Sequence, residues 1–452
     1  MKDHRFKSYD PDQLLLLPPD MKDWLPENHL AWFVSDVVDQ LDLSDIIREY
    51  GHLKGGRPGF HPLMMIKLLF YAYCVGVPSS RQIEKKTYED VAFRVLAAGY
   101  HPDHSAIAKF RKRHMDDLRI TFIEVLILAE QMGLVKMGHV ALDGTKIKAN
   151  ASKHKAMSYG RMDQRIRELK AEVDALMARA QSTDEAEDKK YGKDKRGDEL
   201  PSELAFKQSR IEKIQAAKAE LEMRKQQESG RPENDDHDDP SGGSAASDAV
   251  PVKPDPKTQY NFTDPESRIM PDNASKSFEQ AYNAQIAVDC DSQIILACGV
   301  CQSTNDKHQF IPLFEEIEAN TGQIPDKTLA DAGYYTAENV AFAARNWTEP
   351  LIAWKRTKHS EKPPDSPRGR IPHGAGPVER MRRRLQTLTG RRAYAKRKQS
   401  VEPAIGQIKE IRGFRRFLLR GLSNVQAEWS LICLTHNILK LWKSGRGLHS
   451  PA

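Results

Sequence analysis

Three acidic residues stand in settings that suit metal-assisted phosphoryl chemistry. Asp143 ends the apolar run that opens "VALDGTKIKANAS" (140–152), and flexible Gly144 follows it at once. Asp331 ends a similar run in "KTLADAGYYTAEN" (327–339), with Ala332 and Gly333 behind it. Glu402 lies in a strongly basic helical segment, "RRAYAKRKQSVEPAIGQIKE" (391–410). Hard cations such as Mg²⁺ take a few carboxylates and keep positions open for water and phosphate oxygens. Two such ions about 3.5–4 Å apart activate an attacking oxygen and stabilise a leaving one. Without cations, clustered carboxylates repel by roughly 4 kcal/mol per pair at 4 Å and an effective dielectric of 20. A single Asp at a strand end is most often a turn residue or a helix cap. The case rests on three acids in compatible contexts, one of them among bases.

Around Glu402 the bases are dense. Lys398 precedes it by four residues and Lys409 follows by seven. At 100° per residue both return to within about 40° of its face. Pro403 comes next in the chain, which expects Glu402 at a helix start or a kink. Arg397, Arg412, Arg415 and Arg416 extend the positive charge, with Phe414 and Phe417 interleaved. Phosphate neutralisation with counterion release is the natural account of so much like charge; an exposed basic helix is the alternative. Lys146, three residues beyond Asp143, joins the expected DNA contacts.

The surrounding elements must bring these residues together. Residues 1 to about 27 read as an extended, Pro- and Leu-rich arm, and helical spacing begins at Asn28. "KGGRPGFHP" (54–62) is a break, and Pro62 suits the first turn of the next helix. Ser79 or Ser80 is a candidate cap, with Glu84 at roughly capping-box distance. Asp103 is the candidate cap of a helix carrying Lys109, Arg111, Lys112 and Arg113. Short helices ending in a basic one suggest a helix-turn-helix DNA reader; a bundle with a solvated basic face is the plainer reading. An amphipathic helix from Ile120 to Leu134 leads into the first strand.

Residues 153–275 interrupt the core pattern. Ile166, Leu169, Val173 and Leu176 form one coiled-coil-like seam, and Leu204, Ile211, Ile214 and Leu221 a second. The pair reads as an antiparallel helical hairpin, followed by an acidic linker (231–257) of disordered composition. His237 among its aspartates reads as part of a solvated charge run. Beyond the insertion, "AYNAQIAVD" and "SQIILACGVCQ" form a hairpin. The order is then strand, strand, strand, helix, strand, helix, strand, helix. That order expects an α/β fold, a mixed sheet with flanking helices, its chemistry at strand ends near a topological switch. The expected domains are a helical 1–135, a catalytic domain from 136–152 and 276–445, and the insertion 153–275.

The 452 residues are too many for one ordinary core. The net charge of +6, from 69 bases and 63 acids, says less than their uneven distribution. Five scattered cysteines argue against a disulfide framework and for a reducing cytosol. Cys298 and Cys301 form a lone C-x-x-C in a strand-like run, which reads as buried strand rather than zinc site. The apolar stretch from Leu63 to Val77 contains Lys67 and is too short to span a bilayer. The expectation is a cytoplasmic, nucleoid-associated protein without a membrane partner.

"HPLMMIKLLFYAYCVGVPSSRQIEK", "ALDGTKIKANAS", "YNAQIAVD", "LADAGYY" and "RKQSVEPAIGQIK" resemble blocks of the bacterial insertion-sequence transposases of the DDE class. The likeness is to the branch with a helical N-terminal domain and a long insertion after the first catalytic strand. It implies an RNase H-like catalytic fold, Mg²⁺ or Mn²⁺ (two ions), and a dimer or larger assembly on terminal inverted repeats and target DNA. It carries the catalytic, metal-binding triad onto Asp143, Asp331 and Glu402. The family's third block places Tyr, then Arg four residues before the Glu, and Lys seven after. Lys409 fits; Lys398 takes the Arg position beside Arg397; Ala395 takes the Tyr position beside Tyr394. The competing readings are a repair nuclease using the same acids, a non-catalytic DNA-binding protein, and a scaffold assembled through the hairpin.

Overall fold

The computed structural model describes residues 20–51, 59–152, 155–191, 202–229, 253–271, 277–355, 366–367 and 369–446. The N-terminal arm to residue 19, most of the break at 54–62, most of the acidic linker with His237, and residues 356–365 of the basic loop lie outside them. The chain forms two compact units, one of residues 1–148 with 282–452 and one of residues 149–281.

The first unit opens with helices α1 (Leu30–Asp39), α2 (Ser44–Gly51), α3 (Pro62–Cys74), α4 (Ser80–Glu89), α5 (Val91–Leu96), α6 (His104–Arg113) and α7 (Met115–Gln131). Pro62 starts α3 as expected, and His61 Nδ1 accepts from the Leu63 N–H. Almost every side of α3 is apolar, and it is buried nearly throughout, as a central helix must be. Asp103 caps α6 through Ser105 N and Ala106 N. Ser79 is the N-cap position of α4 but makes no side-chain cap bond. Glu84 does not close a capping box; its Oε2 accepts from His104 N and contacts His104 Nδ1. The helix expected from Ile120 begins earlier, at Met115, with Asp116 and Asp117 in its first turn, where the helix dipole favours acids.

Strand β1 (His139–Lys148) closes this part of the first unit. The second unit contains β2 (Ala156–Ser158), α8 (Tyr159–Tyr191), α9 (Ser202–Ser229), β3 (Gln259–Asn261) and β4 (Arg268–Pro271). The helices run antiparallel, because Asp163 pairs with Lys218 and Glu172 with Lys207. Met162, Leu169, Val173, Ile211, Ile214 and Leu221 form the apolar cluster between them, with Ile166 and Leu176 packed against it. Tyr260 of β3 joins that cluster, so the small β2–β3 sheet belongs to this core and not to the main one.

Strand β5 (Phe278–Asp289) begins in the second unit, pairing there with β4, and runs into the first. The remaining elements are β6 (Ile295–Cys301), α10 (Phe310–Thr321), β7 (Lys327–Ala330), α11 (Ala337–Arg345), β8 (Glu349–Ile352), α12 (Pro377–Gln386), α13 (Leu388–Gly406) and α14 (Leu422–Lys443). The main sheet runs β5-β1-β7-β8, with β6 antiparallel on β5 and both β7 pairs parallel. This is the expected mixed sheet with flanking helices. The β5–β6 turn is held by Asp289, whose Oδ1 accepts from Asp291 N and Ser292 N. Cys298 and Cys301 are strand residues of β6, and the five cysteines are free thiols.

α14 is buried over most of its surface and packs on α3, α7 and β6. α14 thus links N-terminal helices α3 and α7 to strand β6 of the sheet. His436 is the core histidine its setting suggested, contacting Gln407 Oε1 and the Gln293 carbonyl, with burial pushing its pKa down to about 3. No helix among the described residues is long and apolar enough to cross a membrane.

Candidate active site

The parallel β1–β7 pairing matches Leu142 with Ala330, so Asp143 on β1 and Asp331, the residue after β7, follow side by side. Asp143 accepts from Gly144 N and, at 2.8 Å, from Arg397 Nη1 of α13. Burial pushes its carboxyl up to about 6; Asp331 and Asp306 add to the rise, and Arg397 opposes it. Asp331 caps the short turn Ala332–Tyr334 by accepting from Gly333 N at 2.8 Å.

A further acid belongs here that sequence reasoning passed over. Asp306, in the loop between β6 and α10, accepts from Asn283 Nδ2 at 2.6 Å and Gln285 Nε2 at 2.7 Å. The fully buried Tyr334 donates to Gln285 Oε1. A signal was present. In "AYNAQIAVD" two amides, Asn283 and Gln285, alternate on one face among mostly apolar residues, and buried amides need partners. Gly144 makes room for this network. A Cβ there would sit 2.4 Å from Gln285 Nε2 and 2.7 Å from Asp306 Oδ1.

Glu402 lies near the end of α13 and is exposed, while Arg397, Ser400, Val401 and Ala404 form the buried face. Pro403 lies inside α13, so Glu402 is not at the helix start that was one of the two expectations. Its missing N–H would have bonded to the Gln399 carbonyl, which accepts instead from Gln293 Nε2 at 3.2 Å. The helix continues into a π-helical turn, Gln407–Ile411. There Lys409 Nζ donates to Thr145 Oγ1 and the Lys146 carbonyl, each at 3.1 Å, tying the turn to β1. The structure thus brings Asp143 and Asp331 together with Asp306, and leaves Glu402 on the solvent side of the helix that supplies Arg397. Among the described residues no three His, Cys, Asp or Glu side chains are placed to hold an ion.

The expected DNA contacts divide. Lys109, Lys112, Arg113, Lys398, Arg415 and Arg416 are exposed, with Arg113 paired to Glu49 and Arg415 to Glu410. Arg111 and Arg412 are corrections. Arg111 is buried, donating to Tyr73 Oη and the Pro78 carbonyl. Arg412 is buried against Phe414, donating to Thr435 Oγ1 and the Ile432 carbonyl. Helical spacing cannot separate a basic residue that faces solvent from one whose guanidinium satisfies interior carbonyls. Arg397 is likewise buried, with its charge on Asp143 instead of a phosphate. Lys146 is half-buried beside the acids; burial lowers its pKa, and Asp306, Asp331 and Asp143 oppose that.

The donor set suits a hard cation. It consists of carboxylates and the Asn283 Oδ1, a fully buried oxygen with no hydrogen-bond partner. Residues 19–113 match a transposase domain model (DUF772), and residues 371–442 match a transposase DDE domain model. The second match contains Glu402 but neither Asp143 nor Asp331. No curated protein and no solved structure gives a significant match. With a match to a transposase domain among its N-terminal helices and to a transposase DDE domain around Glu402, the chain is similar to the insertion-sequence transposases of the DDE class.

Proposed function

We propose that the protein is a DNA transposase with an RNase H-like catalytic core, which cleaves the terminal inverted repeats of its element and joins them to target DNA. The observation that carries this reading is the parallel register of β1 and β7, which sets Asp143, midway along β1, beside Asp331 at the end of β7. Asp143 and Asp331 are the residues to hold Mg²⁺ or Mn²⁺, with Glu402 as the third ligand once α13 meets DNA. When bound, two such ions activate the attacking oxygen and stabilise the leaving one. Arg397 holds Asp143 in place and balances its charge meanwhile. Gly144 leaves room for the Asn283–Gln285–Asp306 network that packs against Asp143. The exposed Lys109, Lys112, Arg113, Lys398, Arg415 and Arg416 supply phosphate contacts, which fix position without reading sequence. The working form is a homodimer or larger on DNA, acting at the nucleoid.

End binding and nicking, measured side by side, test the assignment. Glu402→Ala should bind ends as well as the wild type or better, since an anion facing phosphate is removed, yet lose cleavage by at least about 100-fold. Lys398→Ala should weaken binding on every sequence and lower the salt slope by about one phosphate contact. Near-normal cleavage by Glu402→Ala removes Glu402 from the triad. Undiminished cleavage in EDTA removes the metal reading altogether.

The exposure of Glu402 favours one other reading, a DNA-binding protein that no longer cuts. It predicts end binding with no nicking in either Mg²⁺ or Mn²⁺.

A further inference from the structure

Two features of the network around the two aspartates go beyond packing. One is the second oxygen of Asp306. Its Oδ1 takes both amide hydrogens, from Asn283 and Gln285. Its Oδ2 lies 3.2 Å from the point where Gly333 would carry a Cβ, and Asp331 Oδ1 lies 3.0 Å from that same point. Two carboxylate oxygens thus flank a space that only a glycine leaves open. The other feature is the Asn283 amide. Its orientation follows from Asp306, whose Oδ1 takes the NH₂ end. Asn283 Oδ1 is then left fully buried without a partner, 3.1 Å from the position of the missing Gly144 Cβ. An orphaned carbonyl oxygen in an interior costs about 1–3 kcal/mol. Asn283 Oδ1 borders the same space over Gly144 as Asp306 Oδ1, which lies 2.7 Å from that position.

We infer that Asp306 is a further acid of the reaction centre, and that with Asp331 and the Asn283 carbonyl oxygen it contributes to holding a divalent cation. The inference rests on the proposed metal-dependent chemistry and adds residues to it. It accounts for the orphan oxygen, since carbonyl and carboxylate oxygens are the usual ligands of hard cations. It also gives the Tyr334–Gln285–Asp306 chain a role. Tyr334 fixes Gln285, and Gln285 fixes the carboxylate, as outer partners orient a metal ligand. Glu402 and Asp306 are distinct acids, one exposed on α13 and one in the loop between β6 and α10.

Mn²⁺ binding by full-length protein without DNA, followed by loss of the free-ion EPR signal, provides the test. The panel is wild type, Asp143→Asn, Asp306→Asn and Asn283→Leu, with thermal melts in EDTA as the folding control. We expect Asp306→Asn to weaken Mn²⁺ at least tenfold and Asn283→Leu severalfold, both with cooperative melts in EDTA. A direct ligand gives one more signature. In a Cys301→Ser background, which removes the thiol paired across from Asn283, Asp306→Cys should lose Mn²⁺ but gain Cd²⁺ relative to Asp306→Ala. If wild type binds Mn²⁺ and Asp143→Asn does not, while Asp306→Asn binds normally, this inference fails and the metal reading stands. If wild type binds no Mn²⁺ and cleaves in EDTA, both fail. If Asp306→Asn and Asp306→Cys both lose cooperative melting, Asp306 is a structural anchor and the inference is overturned.

Discussion

At the residue scale, Asp143 sets a tension between stability and chemistry. Its carboxyl is held near 6 chiefly by burial, against an ordinary value of 3.8. A raised acid pKa means the folded state binds the proton more tightly than the unfolded state. Its contribution is therefore fully present below about pH 4 and is lost as pH rises through about 6. Asp143→Asn, which stays neutral, should gain stability over wild type across that window, by about 2–3 kcal/mol at most. Above about pH 7 the gap should be flat. Urea melts of metal-free protein at pH 4.5 to 7.5 measure it, and a gap that stays constant across the range contradicts it. The same proton competes with a cation, so Mn²⁺ affinity should drop as pH falls below about 6. Arg397 offers a second check. As the cation already on Asp143, it competes with a metal for the carboxylate. Arg397→Met should tighten Mn²⁺ binding while lowering stability in EDTA, because it leaves a buried carboxylate unpaired. Weaker Mn²⁺ binding by that variant would make Arg397 a support for the site instead of a competitor.

At the element scale, the segment between α13 and α14 fastens the sheet to the N-terminal helices. Arg412 reaches α14 through Thr435 and Ile432, and its carbonyl lies 2.6 Å from where Gly76 would carry a Cβ. Gly76 has φ of +74°, a conformation that side chains resist. Gly76→Ala should therefore cost more than the about 1 kcal/mol of backbone strain alone. Arg412→Met should lower stability by roughly 2–4 kcal/mol, since the Thr435 hydroxyl and the Ile432 and Tyr73 carbonyls lose their donor. Neither change should alter the salt dependence of DNA binding, in contrast to the exposed Arg416→Ala. Melts and binding isotherms at several salt concentrations separate the two. A reduced slope for folded Arg412→Met would return that residue to the DNA surface.

At the scale of the whole molecule, each unit has its own interior. Unit two closes on its α8–α9 seam and Tyr260, and none of the described acids of the site belongs to it. Replacing residues 160–270 with a short Gly/Ser linker should leave a cooperative melt for the remainder. Loss of cooperativity would show that the hairpin supports the sheet. Sequence alone determined the periodic features: the two hairpin seams, the strand–helix order, and Asp143 and Asp331 at the ends of apolar runs. It did so because a repeat of 2 or 3.6 residues records which side of an element is buried. Only the tertiary structure decided what each polar side chain meets. It buried Arg111, Arg397 and Arg412, left Glu402 facing outward, and carried Asp306 under Asn283 from 23 residues away. Periodicity is local, whereas the partner of a buried charge is chosen by elements far apart in the chain.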